Sequence, residues 1–206
     1  MPEFSDEAQA SDLAKVDVRR VVLARRRAMP AVDRAAAAVR VQAELAALVR
    51  RMRPGRVTAY VPVGSEPGGS DLPDVLAAAL APGSDLLLPV LLPDLDLDWG
   101  RYAGPGTLAA AGRGLREPRG DRLGVAAVAS ANLVVVPALA VDRYGTRLGR
   151  GGGSYDRVLA RVAADALTVA LLHDGELVDR VPVEPHDRRV RAVITPRRGL
   201  HGPGTG

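Results

Sequence analysis

Between Arg143 and Asp156 the chain sets five glycines (Gly145, Gly149, Gly151, Gly152, Gly153) among three arginines (Arg143, Arg147, Arg150). These residue types in this spacing are suited to holding phosphate. Glycines let successive backbone N–H groups come close to an anion. Arginine forks make charge-assisted, often bidentate bonds to its oxygens. A helix expected from about Ser154 would add the partial positive charge of its N-terminus. Tyr155 and Asp156 fall in its first turn, where Asp156 can either cap the helix or hold a divalent cation that bridges phosphates. Neither generic nucleotide motif fits. Walker A needs a lysine that this stretch lacks, and in the dinucleotide fingerprint Ser154 stands where the third glycine belongs. Read locally, the stretch specifies a polyphosphate or anion site, with a mobile glycine loop and solvated arginines as the competing description.

The surrounding elements indicate how such a loop would be carried. LVVVPAL (133–139) is a continuous apolar run, as expected of a strand covered on both sheet faces, and the loop follows it. Further strands are expected at 57–62, 85–90, 95–102, 167–172 and 191–195. Helices are expected at Leu13–Met29, ended by Pro30, at 31–52, stopped by Pro54-Gly55, and from a Ser70 N-cap to about Leu80. Gly104 to Gly124, rich in Gly, Arg and Pro, reads as a surface loop. Strands alternating with helices predict an α/β fold: one three-layer α-β-α domain over residues 13–198 with a mainly parallel sheet. Residues 1–12 read as a disordered lead and 199–206 as a flexible tail.

Composition narrows the function. The chain has no cysteine, which excludes disulfides and thiolate metal sites and agrees with a cytoplasmic location. Its acidic, polar N-terminus does not read as a signal peptide, and its apolar runs read as too short to span a bilayer. Lys15 is the only lysine among 28 basic residues, which suggests a position where a compact ammonium is needed. Residues 13–56 hold 12 basic residues against 3 acidic ones, a balance that favours phosphate backbones. Aromatics are only 3% of the chain, however, which argues against base-stacking platforms and against nucleic acid as a partner.

The string RLGRGGGSYDR (147–157), preceded by PALAVDRYG, resembles the signature loop of the 5-formyltetrahydrofolate cyclo-ligase family. Four other segments agree in order: the pair Lys15 and Arg19, VTAYVPVGSE (57–66), GLREP (114–118) and LVDRVPVEPHDRRVRAVIT (177–195). The resemblance runs from about 13 to 198. It implies a fold shared with sugar-phosphate isomerases and CoA transferases. It also implies Mg-ATP-dependent cyclisation of 5-formyltetrahydrofolate to 5,10-methenyltetrahydrofolate, releasing ADP and phosphate. In this reading Lys15, Arg19, Arg147, Leu148, Gly149, Arg150, Gly151, Gly152, Gly153, Ser154 and Tyr155 hold ATP, and Arg147, Arg150 and Tyr155 form the catalytic set. Val61, Glu66 and Arg150 to Ser154 meet the folate. Asp156 and Asp187 hold Mg²⁺. Competing descriptions are a solvated stripe for Lys15 and Arg19, a pairing of Asp187 with Arg188 or Arg189, and a structural role for His186.

Two departures stand out. Ser154 occupies a position that is usually Tyr or Phe in the family, which bears on folate stacking or helix capping. EPGGSDLPD (66–74) also differs from the family's usual acidic context after the glutamate. The expected partner is the small-molecule substrate alone, with a monomeric chain and no membrane. The alternatives are a nucleotide- or folate-binding relative without this activity, and a sugar-phosphate or CoA enzyme of the same fold.

Overall fold

Pro30 divides the arginine-rich N-terminal segment into two helices, α1 (Glu3–Ala28) and α2 (Ala31–Met52). The computed structural model describes residues 3–183 and 187–204, with side chains from residue 13 onward; His186 lies outside the described residues. The first helix begins well ahead of the expected start at Leu13. Residues 3–12 contain no Gly or Pro to interrupt a helix.

The chain continues through β1 (Arg56–Thr58), α3 (Leu72–Ala79), β2 (Asp85–Leu91), β3 (Leu97–Arg101), β4 (Leu108–Ala110), β5 (Arg116–Pro118), β6 (Leu133–Pro137), β7 (Ala140–Asp142) and β8 (Arg147–Leu148). It ends with α4 (Ser154–Arg161), β9 (Leu167–Leu171), β10 (Leu177–Val178), β11 (Ala192–Thr195) and β12 (Gly199–His201). Seven strands form the main sheet in the order β12-β11-β9-β6-β1-β2-β3. The inner five run parallel, and an antiparallel strand closes each edge. Helices α2 and α3 pack on one face through Leu45, Leu72 and Leu76, while α4 and a 3₁₀ segment (Val125–Ser130) pack on the other through Val158 and Val128. The architecture is the expected three-layer α-β-α arrangement. No helix among the described residues is long and apolar enough to cross a membrane.

Several local expectations need correction. The strand expected at 57–62 pairs only to Thr58. Ala59 still donates its N–H to the Leu87 carbonyl of β2 at 3.0 Å, whereas Tyr60 and Val61 stay buried but leave the sheet between β6 and β2. Helix α3 has Asp71, not Ser70, at its N-cap position, and the Asp71 carboxylate is instead engaged by Gln42 Nε2 at 2.6 Å. The expected surface loop at 104–124 contains regular structure. β4 and β5 make a hairpin whose reversal uses the positive φ of Arg113 and Gly114, and Pro118 packs so closely on Gly100 that a Cβ there would lie 2.7 Å away. Residues 199–201 are not a tail but edge strand β12, whose Gly199 takes a positive φ just after the reversal from β11.

Two arginines of α4, which begins directly after the glycine loop, pair with Asp96 in the β2–β3 turn, Arg157 at 3.9 Å and Arg161 more closely. Arg161 donates to both carboxylate oxygens of Asp96, at 2.9 and 2.5 Å. These bonds hold the Asp96 carboxyl below its ordinary range, against the opposing effect of burial. Because the folded-state pKa is depressed, the stabilisation is complete above the unfolded value of about 4 and is lost as pH falls through the lower folded value. Asp96→Asn is expected to cost about 1–3 kcal/mol at pH 7. In urea titrations between pH 7 and 2, the gap to wild type should narrow at the acid end. A gap that stays constant with pH would show that the pair does not carry the effect.

Candidate functional site

The strand order places a topological switch point between β1 and β6. From β1 the chain proceeds on one side to β2, and it later resumes on the other side as β6, β9 and β11. In parallel sheets the crevice for ligands opens beyond the carboxyl ends of the strands at such a point. A cavity of about 650 Å³ lies there, with Tyr60 and Val61 beyond β1, Pro89 and Leu91 on β2, and Pro137 and Ala138 at the end of β6 in its wall.

The glycine loop reaches this cavity by a more elaborate route than a strand–loop–helix turn. β7 and β8 form a hairpin that joins β10 in a small separate sheet. Asp142, fully buried, shapes its turn: Oδ1 accepts from the Tyr144 and Thr146 backbone N–H groups at 2.9 Å each, and Oδ2 from Val181 N–H at 3.1 Å. Gly145 completes the turn at φ +84, where a Cβ would sit 2.4 Å from the Val190 carbonyl oxygen. The loop leaves β8 with Arg147 buried. Its Nη2 donates to Asp156 Oδ1 at 2.8 Å, and its Cζ stands 5.9 Å over the Tyr155 ring. Any side chain at Gly149 would crowd that guanidinium, since a Cβ there lies 2.6 Å from Nη1. Gly153, in the left-handed region, is the N-cap of α4, so Ser154 is the first helical residue and does not cap the helix.

Most of the residues singled out in the sequence line this one cavity: Lys15, Arg19, Val61, Glu66, the run Arg147 to Asp156, and Asp187, while Arg143 and Gly145 do not. They meet largely as ion pairs. Lys15 Nζ lies 2.9 Å from Asp187 Oδ2, and Lys15 is buried, so it does not belong to a solvated stripe. Arg147 pairs with Asp156 at 2.8 Å, and Arg150 with Glu66 Oε1 at 3.0 Å. Arg19 Nε donates to the Gly149 carbonyl at 3.0 Å, so α1 is tied to the loop. The β4–β5 hairpin adds Arg113, Leu115, Arg116 and Glu117 to the wall. The Tyr155 phenol is raised in pKa, first by burial and then by the Glu66 charge, with Arg147 opposing. It stays protonated at neutral pH, a state that suits a hydrogen-bond donor or a ring face better than a base. Among the described residues no group of three or more His, Cys, Asp or Glu gathers to hold a metal by itself.

Sequence reasoning missed one part of the wall. Arg26, buried, donates from Nε to Glu176 Oε1 at 2.6 Å and from Nη2 to Glu176 Oε2 at 2.8 Å and the Ala138 carbonyl at 2.7 Å. Nothing local marks Arg26 among Arg25, Arg26 and Arg27, because its partner lies 150 residues away. Asp142 did carry a signal, since an Asp followed three residues later by Gly is the pattern of a side-chain-stabilised turn.

Comparison with known proteins bears on the family and the fold. Residues 12–196 match the model of the 5-formyltetrahydrofolate cyclo-ligase family. The chain is 45% identical over 195 residues to a 5-formyltetrahydrofolate cyclo-ligase of Mycolicibacterium smegmatis, an alignment covering 92% of this chain and 97% of the relative. It is 38% identical over 85 residues to the cyclo-ligase of Escherichia coli K12, covering 41% of this chain and 47% of the relative. The solved structure of Aquifex aeolicus 5,10-methenyltetrahydrofolate synthetase superposes with a TM-score of 0.76 at 26% identity, covering 93% of this chain and 94% of that one. A Mycoplasma pneumoniae 5,10-methenyltetrahydrofolate synthetase at 15% identity shares the fold, with a TM-score of 0.68 over 87% of this chain and 96% of that one.

Proposed function

The chain belongs to the 5-formyltetrahydrofolate cyclo-ligase family and is a ligase; from that premise we propose that it converts 5-formyltetrahydrofolate and Mg-ATP to 5,10-methenyltetrahydrofolate, ADP and phosphate, in the cytoplasm. The observation that carries the reading is the set of three ion pairs in one cavity. Each joins a cation proposed for ATP phosphate to an acid proposed for metal or folate: Lys15 with Asp187, Arg147 with Asp156, and Arg150 with Glu66. Binding then becomes an exchange of partners. Triphosphate oxygens take the cations, and the three carboxylates are released to the other ligands.

Asp156 and Asp187 supply the hard oxygen donors that suit Mg²⁺, which is commonly held by one or two carboxylates together with substrate phosphates. They would hold it here, and it would neutralise charge on the transferring phosphoryl group. Arg147 and Arg150 bind the same oxygens, while Lys15 and Arg19 reach the nucleotide from α1. Gly149 to Gly153 bring backbone N–H groups close to the phosphates, and Ser154 and Tyr155 close that end of the pocket. At the folate end, Val61 packs against the pterin and the Glu66 carboxylate accepts from its donors. The formyl oxygen attacks the γ-phosphorus and ADP departs. N10 then attacks the activated formyl carbon, the carbon–oxygen bond to phosphate breaks, and the N10 proton is lost to solvent. The protein contributes position and charge compensation throughout.

The direct test follows methenyltetrahydrofolate absorbance on adding 5-formyltetrahydrofolate, with and without Mg²⁺ and ATP, with ADP assayed in parallel. Product that needs both additions and matches ADP one for one is expected. A folded protein that makes no product under these conditions would overturn the proposal.

A further inference from the structure

The segment carrying Glu66 leaves the sheet after β1, yet it is bolted down. Three nearby carbonyl oxygens of this loop each receive a buried or partly buried side-chain donor. Ser65 O accepts from His173 Nε2 at 3.0 Å, Pro67 O from Tyr60 Oη at 3.4 Å, and Gly68 O from Gln42 Nε2 at 2.8 Å. The His173 bond is adjacent to Glu66 in sequence and lies well within normal hydrogen-bond range, whereas the tyrosine bond is long. A carbonyl can only accept, so His173 carries its proton on Nε2. Its Nδ1 is buried without a hydrogen-bond partner among the described residues, so the ring's one strong polar contact is the one to Ser65.

His173 is itself anchored. Its backbone N–H donates to Glu176 Oε2 at 2.7 Å, and Glu176 is the carboxylate gripped by Arg26 from α1. Glu176 also accepts, through its backbone carbonyl, from Val141 N–H on β7 at 3.1 Å. One buried cluster thus touches α1, which bears Lys15 and Arg19; β7, which leads to the glycine loop; and the turn that bears Glu66. On that turn, Glu66 Oε2 accepts from Val63 N–H at 2.9 Å, so the carboxylate's position depends on where the turn sits.

We propose that His173 is a positioning residue: by donating from Nε2 to the Ser65 carbonyl, it fixes the Glu66 carboxylate at the folate end of the cavity, in register with the nucleotide end through Glu176 and Arg26. Its kinetic consequence rests on the assignment of Glu66 to folate; its structural consequence does not.

Both consequences are measured. In kinetics, His173→Phe, which keeps the ring volume and removes the donor, is expected to raise KM for 5-formyltetrahydrofolate roughly 10–100-fold while KM for ATP changes less than about twofold. His173→Gln, whose amide still donates, is expected to recover most of the loss. Equal rises in both KM values, or no rise in either, would overturn the positioning role. Amide hydrogen exchange on the wild type needs no variant and no substrate: Val63 and Glu66 N–H are expected to exchange as slowly as the amides of β6. Exchange at open-loop rates would refute the brace even if every variant failed to fold. A wild type that shows slow exchange but no turnover would instead sink the cyclo-ligase reading and leave the brace standing.

Discussion

Arg147→Ala is expected to reduce kcat by roughly 10²–10⁴-fold, in line with removal of a preorganised donor from an acyl- or phosphoryl-transfer site. Two effects combine. The transition state loses a buried guanidinium whose fork is aimed by Pro137 O and Asp156. Asp156 also loses its partner and then presents an uncompensated negative charge where phosphate oxygens are expected. Arg147→Lys should fall between wild type and alanine, because it keeps the charge but not the planar fork; the space beside Gly149, where Nη1 lies closest, would be left partly empty. Steady-state kinetics with Mg-ATP, checked against thermal unfolding of each variant, decides the matter. A folded alanine variant with kcat within about fivefold of wild type would remove Arg147 from the phosphate site.

Arg26→Ala should be the most destabilising single change in the site's support, costing about 3–5 kcal/mol, because it leaves the Glu176 carboxylate buried without its cation. The exposure of the two side chains is only 2% and 7%, so water cannot substitute. The double variant Arg26→Met with Glu176→Leu removes both charges and is expected to regain part of the loss, as buried pairs often tolerate replacement by apolar groups of similar size. Recovery stays incomplete, since the His173 backbone N–H and the Ala138 carbonyl both lose partners at about 1–3 kcal/mol each. Urea unfolding measures all three proteins. A loss below about 1 kcal/mol for Arg26→Ala would mean that the pair behaves like a surface ion pair.

The parts legible in the sequence were those whose cause is local. Pro30 and Pro54 bounded α2, and an all-apolar run marked β6. The Gly-Arg stretch marked a loop that lines the cavity because both the backbone freedom and the charge lie within a dozen residues. What escaped notice depends on distant partners. β7 and β8 are three and two residues long, too short for any periodicity, and they exist because Asp142 organises their turn. The 104–124 hairpin was obscured by its glycines, which permit the reversal that pairs β4 with β5. Arg26 was one arginine in a row of three until the fold set Glu176 against it.

The span of these pairings has a consequence in time. Lys15 meets Asp187 across 172 residues and Arg26 meets Glu176 across 150. A chain synthesised at roughly 5–20 residues per second waits on the order of 10–30 s between emergence of the two halves of the first pair. During that wait the arginine-rich second half of α1 lacks its distant partners. Synthesis of the segment from Glu176 to Asp187 therefore completes the cavity wall and the clasp of the N-terminal helix together, so that a chain interrupted before it displays its arginines without either.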